Sequence, residues 1–230
     1  MMTRDEVFKY VKSSDFEVER HFGPKIYAGK LTDETYDKLI EMSEKVRGNV
    51  DYDFRNKLAG NLSEEYNLFQ YNDDKYKSVF EEIRVHCALY DTCAKEGLAE
   101  AYEHSLRIMK LESIWVNFQK PFEWNPEHNH SGDISFVIYL KTPNDMDAER
   151  EHETQKGNSP TAGSISFGYG EDSIYNSTSL NIEPKERDII VFPHWLRHQV
   201  YPFTTDVERW SVAGNAYTQP IDFDNYRGES

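Results

Sequence analysis

The stretch "NPEHNHSGDISFVIYL", residues 125–140, places two histidines one residue apart and an aspartate three residues after the second of them. His128 and His130 lie where a turn enters an apolar, strand-like segment, so their side chains can converge on one point. Neutral imidazole is the commonest metal ligand. A set of two histidines and one carboxylate, which leaves other coordination positions of the metal open, suits non-haem Fe(II). The stretch therefore predicts a metal site.

The segment "RDIIVFPHWLRHQVYPF", residues 187–203, can supply a distal ligand. It reads as an apolar strand, a turn with a proline, and a second strand that begins next to His198. His194 is the competing histidine, but it follows Pro193 inside the turn, where we expect it to face water. We therefore predict that His198 is the distal ligand.

The segment "VERWSVAGN" adds a binding group for a carboxylate. Arg209 lies eleven residues after His198 and shares one strand face with Ser211, because side chains alternate along a strand. A guanidinium that points inward beside a hydroxyl offers a carboxylate a bidentate pair of hydrogen bonds and one further donor. We expect this pair to bind an acidic small molecule near the histidines.

The elements that must position these residues are mainly β-strands. We predict supporting helices at residues 32–48, with Thr32 as N-cap, and at about 74–95. Turn residues then separate seven strand candidates, which indicates a jelly-roll-like, double-stranded β-helix core. The candidates are "LRIMKLESIWVNFQK", "DISFVIYLK", "AGSISFGYG", "TSLNIEP", "DIIVFP", "HQVYPF" and "ERWSVAGNAY".

We expect one domain over residues 1–230, with helical support at about 1–104 and the β core at about 105–218, because no segment resembles an interdomain linker. The stretch from Arg55 to Leu68 is too poor in apolar residues for a core strand. The polar insertion from Asn144 to Pro160 is expected to be a mobile loop that forms a lid or recognition element.

Composition limits the partners. The net charge is −15 and no cluster of basic residues occurs, so the chain would repel a phosphate backbone and would suit a basic partner. Two cysteines too far apart to pair and a start without an apolar signal core favour the cytoplasm. No run is long enough to span a membrane. The sequence carries no signal for an oligomeric state.

These ordered motifs resemble a known family. The order H-x-H, "SFVIYL", "FPHWLRH" and "ERWSVAGN" is similar to that of the Fe(II)/2-oxoglutarate-dependent oxygenases, specifically the prolyl-4-hydroxylase-like group often encoded by cyanophages and other marine phages. The upstream stretch "LAGNLSEEYNL" resembles one found in that group. The resemblance spans roughly residues 58–217, and it implies Fe(II), 2-oxoglutarate and O2 as the reactants.

The resemblance also implies roles for single residues. His128 and His198 would be iron ligands, and Arg209 with Ser211 would bind the far carboxylate of 2-oxoglutarate. Tyr139 matches a position at which related enzymes place a tyrosine that touches the same carboxylate. Two further sets of residues are weaker candidates for the walls of the site, namely Asn117 and the tryptophans Trp115, Trp124, Trp195 and Trp210.

The sequence departs from the family at one ligand. The usual pattern is H-x-D, and His130 stands in the place of the aspartate. Spacing favours His130 as the third ligand, whereas charge favours Asp133, since a carboxylate would lower the charge of the site. Gly132 would let the chain turn back towards the metal. We prefer His130, and Asp133 stays open as the alternative.

The implied reaction converts 2-oxoglutarate to succinate and CO2 and hydroxylates a substrate. A prolyl residue of a peptide or protein is the first candidate substrate, but the fold and the iron site are shared with enzymes of small molecules. Two other functions compete with this one. They are a cupin-like metalloenzyme that uses no keto acid, for which Arg209 would have no purpose, and a binding module without catalysis.

Overall fold

The computed structural model describes residues 17–20, 23–70, 73–95, 99–142, 149, 151–157, 161–174 and 177–218. Within them the chain forms three α-helices, α1 (Asp33–Val46), α2 (Lys77–Ala94) and α3 (Ala99–Ile108). The strands are β1 (Glu17–Arg20), β2 (Lys25–Lys30), β3 (Glu65–Asn67), β4 (Met109–Gln119), β5 (Asn125–His128), β6 (Ile134–Lys141), β7 (Ile165–Gly168), β8 (Ser179–Ile182), β9 (Asp188–Pro193), β10 (Arg197–Val200) and β11 (Arg209–Thr218).

The strands form two antiparallel sheets. The large sheet has seven strands in the order β1-β2-β9-β6-β11-β4-β3, and the small sheet has four in the order β5-β10-β7-β8. Strands β6, β9 and β11, which are neighbours in space but distant in sequence, form the middle of the large sheet. The prediction of a mainly β chain with supporting helices is therefore confirmed.

The two faces of the large sheet pack against different partners. On β6, Ile138 and Leu140 belong to the hydrophobic cluster that includes the helices, whereas Val137 and Tyr139 belong to a second cluster with residues of the small sheet. Strand β9 alternates in the same way. Because successive side chains of a strand point to opposite faces, one strand can serve two cores. This explains why β6 and β9 are apolar along almost their whole length.

The helices cover the outer face of the large sheet. Helix α1 begins where predicted, with the Thr32 side chain accepting a hydrogen bond from the Thr35 backbone N–H. Its buried stripe contains Leu39, Met42 and Val46, which are fully inaccessible to solvent. Among the described helices, none combines the length and the apolar composition needed to span a membrane.

The seven predicted strands are confirmed, and the structure adds elements that were not predicted, among them the short strand β5 at the residues that we read as a turn. Strands β1 and β2 extend the large sheet from the first thirty residues, where we expected no strand. Helix α3 occupies residues 99–108, so the first core strand begins at Met109 rather than at Leu106. Residues 65–67 form the short edge strand β3, which backbone pairing with β4 holds in place. An edge strand of three residues needs little apolar sequence, and pattern analysis therefore does not detect it.

The polar insertion is anchored at one described residue. The fully buried Glu149 carboxylate accepts hydrogen bonds from the Thr204 N–H at 2.8 Å and from the Thr204 hydroxyl at 3.1 Å, and it also accepts one from the Thr205 N–H. Residues 143–148, 150 and 158–160 lie outside the described residues, so the predicted lid lies largely outside them as well.

Gly214 provides a test of the packing between the large sheet and the helices. It lies in β11 opposite Phe136 of β6 and Ile114 of β4. A Cβ at this position would lie 2.5 Å from the Ser113 carbonyl oxygen and would also collide with the Phe136 ring. Because a backbone oxygen in a central strand cannot move aside, we expect Gly214→Ala to reduce the free energy of unfolding by about 2–3 kcal/mol in denaturant titrations.

The matched control is Gly168→Ala in β7. There the nearest atom to an added Cβ, the Thr178 carbonyl oxygen, lies 3.8 Å away. We expect a change within about 0.5 kcal/mol, since the alanine fits without strain. Equal losses of unfolding free energy in the two variants would contradict the packing described for Gly214.

Candidate metal centre

Three histidines converge at the mouth of the small sheet. His128 ends β5, His130 follows in the next turn, and His198 lies on β10 directly opposite His128 in the strand register. One ring nitrogen from each residue lies within 4.8 Å of the corresponding atom of the others. The structure thus brings together all three of the predicted histidines.

Hydrogen bonds fix the orientation of two of these rings. The Nδ1 atom of His128 lies 2.6 Å from the Pro126 carbonyl oxygen, and Nδ1 of His198 lies 2.9 Å from the Leu196 carbonyl oxygen. A carbonyl only accepts, so both Nδ1 atoms must carry the proton. Their Nε2 atoms are left with free lone pairs, which is the form of the ring that binds a metal.

The spacing of the ring nitrogens suits a single ion. Nε2 of His130 lies 3.1 Å from Nε2 of His198. Two nitrogens at a typical bond length of about 2.1 Å from one metal, at a right angle, would be about 3 Å apart. His130 also contacts the ring of Trp115, with 5.8 Å between the ring centroids.

The histidines are held in the neutral state. Burial, together with the charges of the neighbouring histidines, lowers the pKa of His130 to about 2. Burial, with a smaller contribution from His128, lowers the pKa of His198 to about 3. The pKa of His128 is also lowered by burial, against the opposing effect of its bond to Pro126. Neutral imidazole is the ligating form, so the site needs no deprotonation near neutral pH.

The structure does not bring Asp133 to this cluster. Gly132 has a φ of 90° and turns the chain away, so that the Asp133 N–H bonds the Ala216 carbonyl oxygen at 3.0 Å. Its carboxylate accepts hydrogen bonds from the Thr218 N–H and hydroxyl, at 2.8 and 3.0 Å. The glycine that we expected to allow an approach to the metal instead ties Asp133 to the end of β11. The alternative with Asp133 as ligand finds no support here.

His194 also lies outside the three-histidine group. Its Nδ1 atom is 3.1 Å from the Asp133 carbonyl oxygen, in the turn between β9 and β10. This position agrees with our choice of His198 over His194 as the distal ligand in the sequence analysis.

A cavity extends inward from the histidines, between the two sheets. We call it the inner cavity. Its lining includes seven predicted site residues but not Asp133, and these seven are Asn117, His128, His130, Tyr139, His198, Arg209 and Ser211. Asn117, Ser211 and Tyr139 lie opposite one another on β4, β11 and β6, so they form one row across the large sheet. The Asn117 amide donates a hydrogen bond to the Ser211 hydroxyl at 3.3 Å.

Arg209 gives the inner cavity its charge. Its side chain is 3% exposed, and one guanidinium nitrogen donates a hydrogen bond to the Gly163 carbonyl oxygen at 2.6 Å. Its Nε atom is buried without a partner, and among the described residues that line the inner cavity none is acidic. Burial lowers the pKa of Arg209 to about 10, which leaves the group charged at neutral pH. A buried, uncompensated cation is costly and calls for an anion.

Tyr139 can act as a donor beside this cation. Burial raises the pKa of its hydroxyl to about 12, although Arg209 opposes the shift. The hydroxyl therefore keeps its proton. Together with the Ser211 hydroxyl and the guanidinium, it forms a donor set that matches a carboxylate.

A second cavity of about 500 Å³ opens outward from the histidines. We call it the outer cleft, and it shares Trp115, Asn125, His128 and His130 with the inner cavity. Its outer wall comes from residues 57–60 and Glu65, in the stretch whose resemblance we noted. Of the four tryptophans, Trp115 lines both cavities, Trp210 packs against the helices, and Trp124 and Trp195 are largely exposed.

The sequence reasoning missed two residues of these cavities. Glu65 is 1% exposed, and its Oε2 atom has no hydrogen-bond partner; Asn125 has a buried, unpartnered Oδ1 atom. Asn125 lies three residues before His128, and its position next to the turn could have identified it. For Glu65 the only signal was its place in "LAGNLSEEYNL".

Comparison with known proteins gives a family match in the central part of the chain. Residues 113–215 match a family described as putative 2OG-Fe(II) oxygenases, in which 2OG denotes 2-oxoglutarate. The match covers both the H-x-H motif and the segment with His198 and Arg209. No curated protein matches the chain in sequence.

Solved structures share the fold at low sequence identity. A prolyl-4-hydroxylase from Pseudomonas putida aligns with a TM-score of 0.50 and 13% identity over 95% of this chain and 100% of its own. AviO1 from Streptomyces viridochromogenes Tue57 aligns with a TM-score of 0.51 and 12% identity over 96% and 97%. A viral collagen prolyl hydroxylase from Paramecium Bursaria Chlorella virus-1 has a TM-score of 0.49 and 15% identity over 89% and 97%.

The first two of these alignments confirm the predicted jelly-roll architecture, and with the family match they confirm the resemblance to the prolyl-4-hydroxylase-like oxygenases. The alignments cover nearly the whole of each chain, and the family match covers the strands that carry the histidines and Arg209. Residues 113–215 of this chain thus match a family described as putative 2OG-Fe(II) oxygenases, and the fold is shared with the Pseudomonas putida prolyl-4-hydroxylase and AviO1.

Proposed function

We propose that this chain binds Fe(II) on His128, His130 and His198, binds 2-oxoglutarate in the inner cavity, and hydroxylates a side chain of a peptide or protein. A prolyl residue is the first candidate for the hydroxylated position. The fold similarity to the Pseudomonas putida prolyl-4-hydroxylase supports this choice of substrate.

The observation that carries the proposal is the unpaired guanidinium of Arg209 in a cavity that opens on three neutral imidazoles. The imidazoles provide nitrogen ligands without charge, and the cavity behind them offers one cation and two hydroxyl donors to an acid. 2-Oxoglutarate carries two carboxylates, one next to its keto group and one at the far end. We infer that the keto acid end faces the histidines and the far carboxylate faces Arg209.

The protein's part in the reaction is positioning. When bound, Fe(II) and 2-oxoglutarate supply the activation of O2, with succinate and CO2 as the products of the keto acid. Arg209, Ser211 and Tyr139 hold the far carboxylate, which fixes the distance of the keto group from the histidines. The bonds from Nδ1 of His128 and His198 to backbone carbonyls keep Nε2 of each ring aimed at the metal.

The substrate enters through the outer cleft in this proposal. Trp115 lies beneath that cleft and contacts the ring of His130, so a substrate resting on the indole would present its side chain near the metal. Aromatic walls exclude water from the reacting atoms. The Phe54 ring packs beside Trp115, with 6.1 Å between the centroids, and continues this wall outward.

Replacing Arg209 tests the binding of 2-oxoglutarate. We expect Arg209→Met to weaken 2-oxoglutarate binding at least about 100-fold, because the variant removes the charged hydrogen-bonding partner of the far carboxylate. Isothermal titration of the Mn(II)-loaded protein under anaerobic conditions measures the affinity directly.

Arg197→Met is the matched control for this measurement. Arg197 precedes His198 on β10, but its side chain is largely exposed and pairs with Glu127 at 2.7 Å. We expect its affinity for 2-oxoglutarate to stay within about twofold of the unmodified protein. An unchanged affinity in Arg209→Met would contradict the binding of the far carboxylate by Arg209, and an absence of 2-oxoglutarate binding to the unmodified protein would favour a metalloenzyme that uses no keto acid.

A second pair of variants tests the third metal ligand. We expect His130→Ala to weaken Mn(II) binding at least about 100-fold, since the loss of a ligand costs more than the 10- to 100-fold typical of its supporting contacts. Asp133→Ala should leave Mn(II) affinity within about threefold, because its carboxylate bonds Thr218 instead. Anaerobic titration monitored by Mn(II) electron paramagnetic resonance measures both affinities. The opposite pattern would give Asp133 the coordination position.

A further inference from the structure

Glu65 is a buried carboxylate that the proposed chemistry does not use. It lies on β3 directly opposite Asn117 on β4, and Asn117 is opposite Ser211 on β11. Residues directly opposite each other in a sheet point to the same face. The polar row that lines the inner cavity therefore extends through Asn117 to Glu65, which lines the outer cleft.

The hydrogen-bond acceptors at this position have no donor. Glu65 Oε2 and Asn125 Oδ1 are both buried without a hydrogen-bond partner among the described residues. The two side chains crowd against Gly60, where an added Cβ would lie 2.8 Å from Asn125 Oδ1 and 2.9 Å from Glu65 Oε1. Buried acceptors are almost always satisfied in proteins, so two of them together indicate a donor that arrives with a ligand.

Neighbouring charges do not neutralise Glu65. Arg55 lies nearby, but the carboxylate of Asp53 binds its guanidinium. The Glu123 carboxylate accepts hydrogen bonds from the backbone N–H groups of Ser63 and Lys120. Burial, and then the charge of Glu123, raise the pKa of Glu65 to about 7. The chain thus keeps an ionisable group at a costly position, which is typical of functional sites.

Aromatic rings complete the surroundings. Phe54 and Trp115 line the outer cleft together with Glu65. An aromatic face attracts a cation and offers little to an anion, and a buried carboxylate has the same preference. The net charge of −15 would in addition steer a cationic partner towards the protein.

We propose that Glu65 and Asn125 bind a cationic group of the substrate, an ammonium or a guanidinium, on a basic residue next to the hydroxylated one in a peptide. This rests on the proposed function, since it assumes that the outer cleft receives the substrate. It narrows the substrate to basic peptide segments. Glu65 is accordingly a specificity residue and takes no part in the oxidation.

The test compares peptides that differ only in one charge. Capped Gly-Lys-Pro-Gly and Gly-Pro-Lys-Gly peptides are titrated into protein loaded with Mn(II) and 2-oxoglutarate under anaerobic conditions, beside the same peptides with Nε-acetyl-lysine. We expect at least one lysine peptide to bind about tenfold more tightly than its acetylated form, as one charge-assisted hydrogen bond provides. The isosteric Glu65→Gln variant should reduce this preference to within about twofold.

Glu112→Gln is the matched control. Glu112 lines the same outer cleft, but its carboxylate already accepts hydrogen bonds from the hydroxyls of Tyr217 and Ser131, at 3.0 and 3.4 Å. This variant should keep the tenfold preference. No charge preference in the unmodified protein, or a preference that survives in Glu65→Gln, would overturn the proposal. If free n-butylammonium bound as tightly as the peptides, the assignment to a peptide would be wrong.

Failure of this inference can be distinguished from failure of the proposed function. Peptide binding is measured directly and does not depend on turnover. The rise in melting temperature caused by Mn(II) and 2-oxoglutarate, measured on the same samples, reports on the proposed iron and keto acid site alone.

Thermal unfolding without ligands gives an independent prediction for Glu65. Its pKa in the folded chain is about 7, above the ordinary 4.5. The protonated carboxyl therefore stabilises the folded chain fully below pH 4.5, and this stabilisation is lost as the pH rises through 7. Gln stays neutral at every pH. We expect Glu65→Gln to melt about 5 °C above the unmodified protein at pH 8, and the difference to be small at pH 5.

The acidic groups nearest to Glu65 are Glu123 and Asp53, and the basic group is Arg55. All three residues remain in Glu65→Gln, so the variant removes only the Glu65 carboxylate from this group of charges. A difference in melting temperature that is equal at pH 5 and pH 8 would contradict a buried, ionisable Glu65. Higher stability together with weaker peptide discrimination is the result that a purely structural carboxylate would not give.

Discussion

The buried guanidinium of Arg209 is the constraint on which the site depends. Burying a cation between two sheets, with one carbonyl oxygen as its hydrogen-bond partner, costs free energy unless an anion neutralises its charge. Two hydroxyl groups lie on the strands around it: Ser211 follows two residues later on β11, and Tyr139 lies opposite Ser211 on β6. No acid competes for the cation among the described residues that line the inner cavity.

The two faces of the large sheet have different roles, since one packs against the helices and the other lines the inner cavity. Its outer face packs on the helices through residues such as Ile138 and Val212, and its inner face carries Tyr139 and Ser211. A change on one face alters the other only through the backbone. The neutral rings of His128, His130 and His198 also leave Arg209 as the dominant charge of the inner cavity.

The sequence predicted the parts of the site that lie on long, apolar strands. His128, His198, Arg209 and Ser211 follow strand or turn signals that alternation makes visible, and the structure places them together. The contest between His130 and Asp133 could not be decided in this way, because it depends on how the backbone turns at Gly132. Glu65 was missed since its strand has three residues and owes its place to backbone pairing with β4. Strands β1 and β2 were missed because their sheet partner, β9, lies far away in the sequence.

The anchors on either side of the polar insertion have an evolutionary consequence. Before most of it, the Glu149 carboxylate binds the backbone of Thr204 and Thr205, and after it the Gly163 carbonyl accepts a hydrogen bond from Arg209. Both anchors attach to the short stretch that leads into β11. Substitutions, insertions and deletions between Glu149 and Gly163 can therefore accumulate in a lineage while both anchors stay in place and Arg209 keeps its position.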